Sequence, residues 1–305
     1  MELRHLRYFT TVAEEGHITG AAERLGIQQP PLSRVIKKLE KELDVQLFRR
    51  TPHGVQLTAA GDLFHTKARS ILASLGDAVE TTRRVARGEQ GRICLGISPT
   101  GIFHPLVTRI IRDFRERFPL VSVTLEENLS NDIIEGIRNS RVDAAFLWTP
   151  PSEGFVVDRV LHDELVMALP RSHALARADK TKNDAGIALK SFASETFIVY
   201  GRKDGFGLFA ATIAAAHAAG FSPRFGVEAP RISSALSLAA AGSGVFLVPS
   251  SVQRLNIDGV VFRRLRGPPQ PVSTLSLVTR RGDASPVVRR FLHVVRKAAK
   301  EELSK

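Results

Sequence analysis

Five apolar residues, Leu32, Val35, Ile36, Leu39 and Leu43, recur at i, i+3, i+4, i+7 and i+11 in QPPLSRVIKKLEKEL. That spacing puts them on one face of an α-helix. Ser33, Arg34, Lys37, Lys38 and Lys41 lie off the face. Pro30 and Pro31 stand at its start. Proline is tolerated in the first turn, where backbone amides have no intrahelical partner, and breaks a helix further in. The prolines therefore mark where the helix begins. Upstream, Leu6, Phe9, Val12 and Ala13 define a helix reaching about Glu15. A short helix follows, with Thr19 read as its N-cap, Ala22 and Leu25 as its inward face and Gly26 as its end.

Two short helices about a tight glycine-containing turn form a helix-turn-helix unit. Its second helix would enter a DNA major groove with its N-terminal residues at base edges. Gln29 suits adenine, Arg34 suits guanine, and Pro30 and Pro31 offer apolar surface to a thymine methyl. Ser33 and Lys38 share that outward face. The alternative is a packed helix with a solvated basic face. Next comes VQLFRRTPHGVQLTAAG, with Leu47 and Phe48 as anchors and a Pro/Gly turn before the alternating Val55 and Leu57. This reads as a small hairpin, a wing, with Arg50 at its base and His53 at its tip in reach of phosphate or the minor groove. An ordinary surface hairpin is the alternative.

Thr58 then caps a long helix in which Phe64, Ala68, Ile71, Leu75, Ala78, Thr82 and Val85 step by four and three. This is a heptad seam. Roughly 45 Å of helix at 1.5 Å per residue is long for a monomer to leave uncovered. A second copy of the chain, paired through Phe64, Ala68, Ile71, Leu75 and Ala78, would set two reading heads on a two-fold DNA site. A seam packed on its own domain is the alternative.

Net charge would have pointed elsewhere. The chain carries +12 in 305 residues, but residues 1–90 hold 14 Lys/Arg against 11 Asp/Glu, a net of +3. Residues 254–305 hold 12 against 4, a net of +8, on what reads as the solvated face of a last helix.

The motif AAERLGIQQPPLSRVIKKLEKELDVQLFRR, followed by LTAAG and the long helix, resembles the DNA-binding signature of the LysR-type transcriptional regulators. The resemblance extends over the whole chain. It implies an N-terminal winged helix-turn-helix (all-α with a small β wing), a long linker helix, and an α/β two-lobed periplasmic-binding-protein-like effector domain. It also implies homodimers joined into homotetramers, double-stranded DNA with an interrupted inverted repeat, and RNA polymerase as a partner of an activator. One position departs from the family pattern. Gln28 stands where those proteins place a capping Ser, and its longer side chain caps less well.

The rest of the chain alternates strands and helices. GEQG, residues 88–91, reads as a hinge. RICLGI, VSVTLEE and VDAAFLW are strands around two helices, one lined by Phe103, Leu106, Val107, Ile110 and Phe114, the other capped by Ser130. This is a βαβαβ unit of a parallel sheet. ELVMALP is a strand near a crossing, and TFIVYG, PRFGVEA and VFLVP with their helices build a second set. TLSLVTR and a helix from Pro286 to about Leu303 end the chain. The expected division is 1–58 for the DNA-binding domain, 59–87 for the linker helix and 88–91 for the hinge. Residues 92–163 with 268–305 form lobe I, and 164–267 form lobe II.

Ligands of open α/β sheets lie beyond the carboxyl ends of strands. Those ends supply Ser98 and Thr100, Asn128, Trp148, and Tyr200, Arg202 and Phe206 as candidate effector-binding residues. The helix after SPTG would aim its amide end at the cleft and favour an anion. Arg202 would clamp a carboxylate. The resemblance is to members sensing aromatic-degradation intermediates, so a carboxylate or aromatic acid is the expected small-molecule effector. Leu129 departs from their polar residue. Each candidate has a plainer role: Ser98 and Thr100 as helix caps, Trp148 as a lobe cover, Tyr200 and Phe206 as core, Arg202 in solvent.

No cofactor and no metal is expected. There is no G-x-S-x-G elbow, phosphate-binding loop or H-E-x-x-H, and the nine histidines are scattered. Catalysis is therefore not expected. Cys94, the single cysteine, forms no internal disulfide and points to a reducing compartment. The charged N-terminus lacks an apolar signal core, so a cytoplasmic protein with no membrane partner is expected rather than a secreted solute-binding protein.

Overall fold

The periodicity of the first forty residues becomes three helices, α1 (Leu3–Glu15), α2 (Ile18–Leu25) and α3 (Gln29–Leu43). The structure is a computed structural model describing residues 1–148, 150, 153–176, 186–202, 207–267, 271–283 and 285–303. It divides into two units, Met1–Arg84 and Val85–Lys305.

In the first unit, Leu6, Phe9, Ala22, Leu32, Ile36 and Leu39 form a buried cluster between the helices. Phe9 is fully buried, with the rings of Phe64 and Phe48 at 5.0 and 5.2 Å. Gly16 and Gly26 take left-handed conformations and end α1 and α2. Thr19 is not the N-cap expected of it. Only Gly16 and His17 separate α1 from α2, so the helix starts at Ile18, and Ala21 N–H bonds to the His17 carbonyl at 3.0 Å.

The wing is a hairpin of β1 (Phe48–Thr51) and β2 (Gly54–Leu57), with Thr51 paired to Gly54 across Pro52 and His53. Glu40, on the last turns of α3, accepts the amides of Leu47 (2.8 Å) and Phe48 (3.1 Å). This carboxylate ties the wing to the helix before it. The Thr58 hydroxyl accepts Gly61 N–H at 2.9 Å and starts α4 (Ala59–Arg87), as the sequence suggested. A side chain at Gly61 would place its Cβ 2.0 Å from the Leu47 carbonyl oxygen, which is why the first turn of α4 needs glycine there.

Helix α4 corrects the heptad reading. Ala68 is fully buried and Phe64 packs beside it in the core of the first unit. They face their own domain, because the first turns of α4 close the helix-turn-helix core. The open stripe is Leu63, Ile71, Leu75, Val79 and Val85, with Ala78 exposed beside it.

In the second unit, β3 (Gln90–Ile97), β4 (Leu120–Glu127) and β5 (Ala144–Trp148) are parallel in the order β4-β3-β5. Helices α5 (Pro105–Arg117) and α6 (Ser130–Arg138) connect them. Strand β3 starts inside the stretch read as a hinge, where Gly88 is buried. A 3-10 turn, Gly101–Phe103, separates SPTG from α5, so that helix begins at Pro105 with His104 as its N-cap. Ser130 is the first residue of α6 rather than its cap, a place held by Leu129.

The crossing is one 16-residue strand, β6 (Phe155–Pro170). Its first part pairs with the later β12 (Val272–Arg280), which also borders β5. Its second part pairs with β10 (Phe246–Pro249) and β11 (Val260–Arg266). A short β7 (Ile187–Ala188) borders β11. Strands β8 (Thr196–Tyr200) and β9 (Arg224–Ala229) pair in parallel beside α7 (Gly207–Ala218) and α8 (Ile232–Ala240). Helix α9 (Pro286–Leu303) covers the first lobe, its Phe291 edge-on to Phe114 at 5.1 Å. The basic face of α9 is partly paired, not simply solvated: Arg296 grips Asp158 of β6 with two bonds of 3.0 Å. No helix of the described residues is long and apolar enough to cross a membrane.

Candidate DNA-reading surface and ligand cavity

The first turn of α3 is presented outward. Gln29, Pro30, Pro31 and Arg34 are exposed and Ser33 is half-buried, while Leu32 and Ile36 between them are buried. The helix is thus anchored on one face and open on the other. Gln28 is the N-cap with extended backbone and no side-chain cap bond, as expected of a Gln there. Lys38 is exposed with Glu42 3.9 Å away, which offsets part of its charge. On the wing, Arg50 and His53 are exposed and Arg49 is held to Gln56 at 3.0 Å.

A cavity of about 20 Å³ lies at the strand ends of the second unit. It is lined by Ser98, Pro99 and Thr100 after β3, Leu129 and Ser130 before α6, and Trp148 at the end of β5. Tyr200, Gly201, Gly207 and Leu208 close it from the other lobe. Of the expected effector residues, Ser98, Thr100, Trp148 and Tyr200 come together here. Asn128 does not line the cavity, and its amide donates to Glu126 at 3.2 Å. Arg202 does not reach it either. Its guanidinium is exposed and lies 5.8 Å from the centre of the Phe209 ring, where an aromatic face holds the cation. Phe206 lies outside the described residues.

Ser98 Oγ and Trp148 Nε1 are buried at this cavity with no hydrogen-bond partner. An unsatisfied buried donor costs about 1–3 kcal/mol. Two at one small cavity are what a ligand with acceptor oxygens would satisfy. The volume holds little more than a water, so a larger ligand enters only if the lobes part. Sequence reasoning did not single out Pro99, Ser130, Gly201, Gly207 or Leu208 as lining and knew Leu129 only as a departure from the family pattern, since backbone and small or apolar side chains at a cleft carry no periodic signal.

The expected anion site at the helix after SPTG is displaced. The first free amide of α5, Leu106 N–H, is taken by His104 Nδ1 at 3.2 Å. Burial holds the His104 imidazole below the ordinary histidine range, against the opposing pull of Asp163 and Glu302. Among the described residues no three His, Cys, Asp or Glu side chains group as metal ligands.

Comparison with known proteins agrees with both parts of this architecture. The profile of the bacterial regulatory helix-turn-helix protein, lysR family, matches residues 3–62. That of the LysR substrate binding domain matches residues 86–300. The HTH-type transcriptional regulator AlsR of Bacillus subtilis (strain 168) is 33% identical over 96% of this chain and 95% of its own. The crystal structure of CbnR, a LysR family transcriptional regulator, superposes with a TM-score of 0.85 at 28% identity, over 97% of this chain and 100% of that one. CbnR complexed with its target DNA gives 0.81 at 28% identity, over 98% and 100%. With a winged helix-turn-helix, a long helix and a two-lobed α/β domain matched from end to end, the chain belongs to the LysR family of DNA-binding transcriptional regulators.

Proposed function

We propose that the chain reads an interrupted inverted repeat in double-stranded DNA as a cytoplasmic homodimer or homotetramer, and that a small anion closes its lobes to change how it does so. The observation that carries the DNA half is the first turn of α3, where Gln29, Pro30, Pro31 and Arg34 stand exposed beside the buried Leu32. Gln29 and Arg34 are the base-reading residues. Ser33, Lys38, Arg50 and His53 contact phosphate or sugar and set the register. Residues 1–58 read DNA, 59–87 pair the copies through Ile71, Leu75, Ala78, Val79 and Val85, and the two lobes divide near residue 164 on β6.

The unpartnered Ser98 hydroxyl and Trp148 indole support an oxyanion, most simply a carboxylate, as the effector. Neither donor is charged, and no basic side chain lines the described cavity. A small aliphatic acid needs less opening of the lobes than an aromatic one. Closure by ligand would shift the spacing of the reading heads, with a coupling of about 1–3 kcal/mol typical of such linkage. An activator of this kind would present the DNA-bound assembly to RNA polymerase.

Mobility-shift titrations on DNA upstream of neighbouring genes test the reading. Wild type forms a sequence-specific complex. Arg34→Ala loses discrimination between sites, by about 1–3 kcal/mol, whereas Arg50→Ala weakens all sequences and lowers the salt slope by about one. Equal loss on every sequence from Arg34→Ala would contradict base reading by α3.

A further inference from the structure

We propose that a second pocket, between the start of α5 and the 3-10 turn Ser250–Leu255, takes a small oxyanion, a carboxylate or a phosphate. Its volume is about 520 Å³, and it shares no lining residue with the cavity of Ser98 and Trp148. His104 and Arg109 reach it from the first lobe, and Ser250, Ser251 and Arg254 from the turn after β10. Glu302 of α9 completes its wall.

Two donors of this pocket are buried and have no acceptor, Ser251 Oγ and Arg109 Nη2. Ser251 as a whole is 6% exposed. The carboxylate of Glu302 faces Arg109 at 4.0 Å, too far for a hydrogen bond. Asp163 is already engaged: it accepts Ser250 N–H at 3.2 Å, Ser250 Oγ–H at 2.6 Å and Ser251 N–H at 3.2 Å. Its charge orders the turn and presents the Ser251 hydroxyl without consuming it. His104 adds a third donor. Its Nδ1 accepts the Leu106 amide, so the neutral ring carries its proton on Nε2. Arg254 is exposed and brings a second guanidinium.

Donors thus converge from two elements, with the Glu302 carboxylate at the edge of the pocket, 4.0 Å from Arg109. A cation would meet two guanidiniums. An oxyanion would satisfy the Ser251 hydroxyl and Arg109 at once, with charge-assisted bonds. Glu302 is then a competitor for the same guanidinium. An occupant held by α5 and by the turn after β10 at the same time binds only one arrangement of those elements well, so it would bias that arrangement.

Thermal unfolding and calorimetric titration of the full chain test this, with inorganic phosphate and succinate as probes and chloride at matched ionic strength. One or both oxyanions raise the unfolding temperature saturably and chloride does not. Which of the two acts identifies the source. Arg254→Gln, a surface change, abolishes the rise. Ser251→Ala weakens binding about tenfold, yet without anion it unfolds at the same or a higher temperature, because an unpaired hydroxyl is gone. Glu302→Gln tightens binding. A rise that survives in Ser98→Ala is assigned to this pocket. No rise with either oxyanion, an equal rise with chloride, or a rise undiminished in both Arg254→Gln and Ser251→Ala would overturn the proposal.

Discussion

Gln28 shows what a single side chain leaves undone. It holds the N-cap backbone geometry of α3 but makes no cap bond. Gln28→Ser would return a short hydroxyl to an orphan amide and stabilise the helix start by about 1 kcal/mol. Urea unfolding would show this as a higher midpoint with an unchanged slope, and an unchanged midpoint would refute it. The departure was legible in the motif itself, because capping is a local property of neighbouring residues. His104, by contrast, carried no signal of its own among the nine scattered histidines. Its folded pKa lies below the unfolded value of about 6.5, chiefly through burial. The unfolded chain therefore takes up the proton first as pH falls. The histidine leaves stability intact above about 6.5 and lowers it as pH drops below that toward the folded pKa. His104→Asn should flatten the pH dependence of the unfolding midpoint between pH 8 and 5. A constant offset from wild type across that range would exclude His104 as the cause.

At the scale of elements, α4 is the instructive one. Its heptad spacing was correct as helix, but part of the seam is taken up by the core of its own domain. Phe64 and Ala68 follow the same period as Ile71 and Leu75, yet they pack on Phe9 and its neighbours while the latter pair is open. A one-dimensional period cannot say where a partner ends, since the same apolar face serves a domain core and a second chain alike. Leu75→Lys, 41% exposed in the single chain, should leave the first unit folded and convert dimers to monomers, read by sedimentation or light scattering. An unchanged mass would place the pairing surface elsewhere. By contrast, the wing was read from its Pro/Gly turn and its alternation, because a two-residue hairpin is fixed by local chemistry. What sequence did not reveal is Glu40, whose carboxylate joins α3 to the wing through two amides. An acid off the apolar stripe of a helix looks like any solvated charge until its chain partners are known.

At the scale of the whole second unit, β6 carries both lobes. Only its second half was read, as ELVMALP. The first half holds Asp158, Arg159, His162 and Asp163, which interrupt the apolar alternation. It is a strand because β12 and α9 come back to it, with Arg296 paired to Asp158. The cavity has the same origin. Trp148 is the only tryptophan of the chain and is 2% exposed at this site. Its emission should therefore shift or quench on titration with small carboxylates, and Ser98→Ala should weaken that response about tenfold by removing one donor. Saturable ligand binding that leaves the emission unchanged would put the effector elsewhere.

The sequence by itself determined most of the element order and the position of the recognition helix and its wing, because prolines, glycines and apolar periods act over one or two turns of chain. The motif those elements carry gave the family, while β7, β11 and the first half of β6 went unread. Tertiary structure decided which apolar residues of α4 stay open, that Arg202 lies over Phe209 and off the cavity lining, and which donors are left unpaired. Those outcomes depend on segments distant in the chain, such as β12 returning to β6 and the turn after β10 meeting α5. No local pattern encodes what a side chain will meet once such segments are brought together.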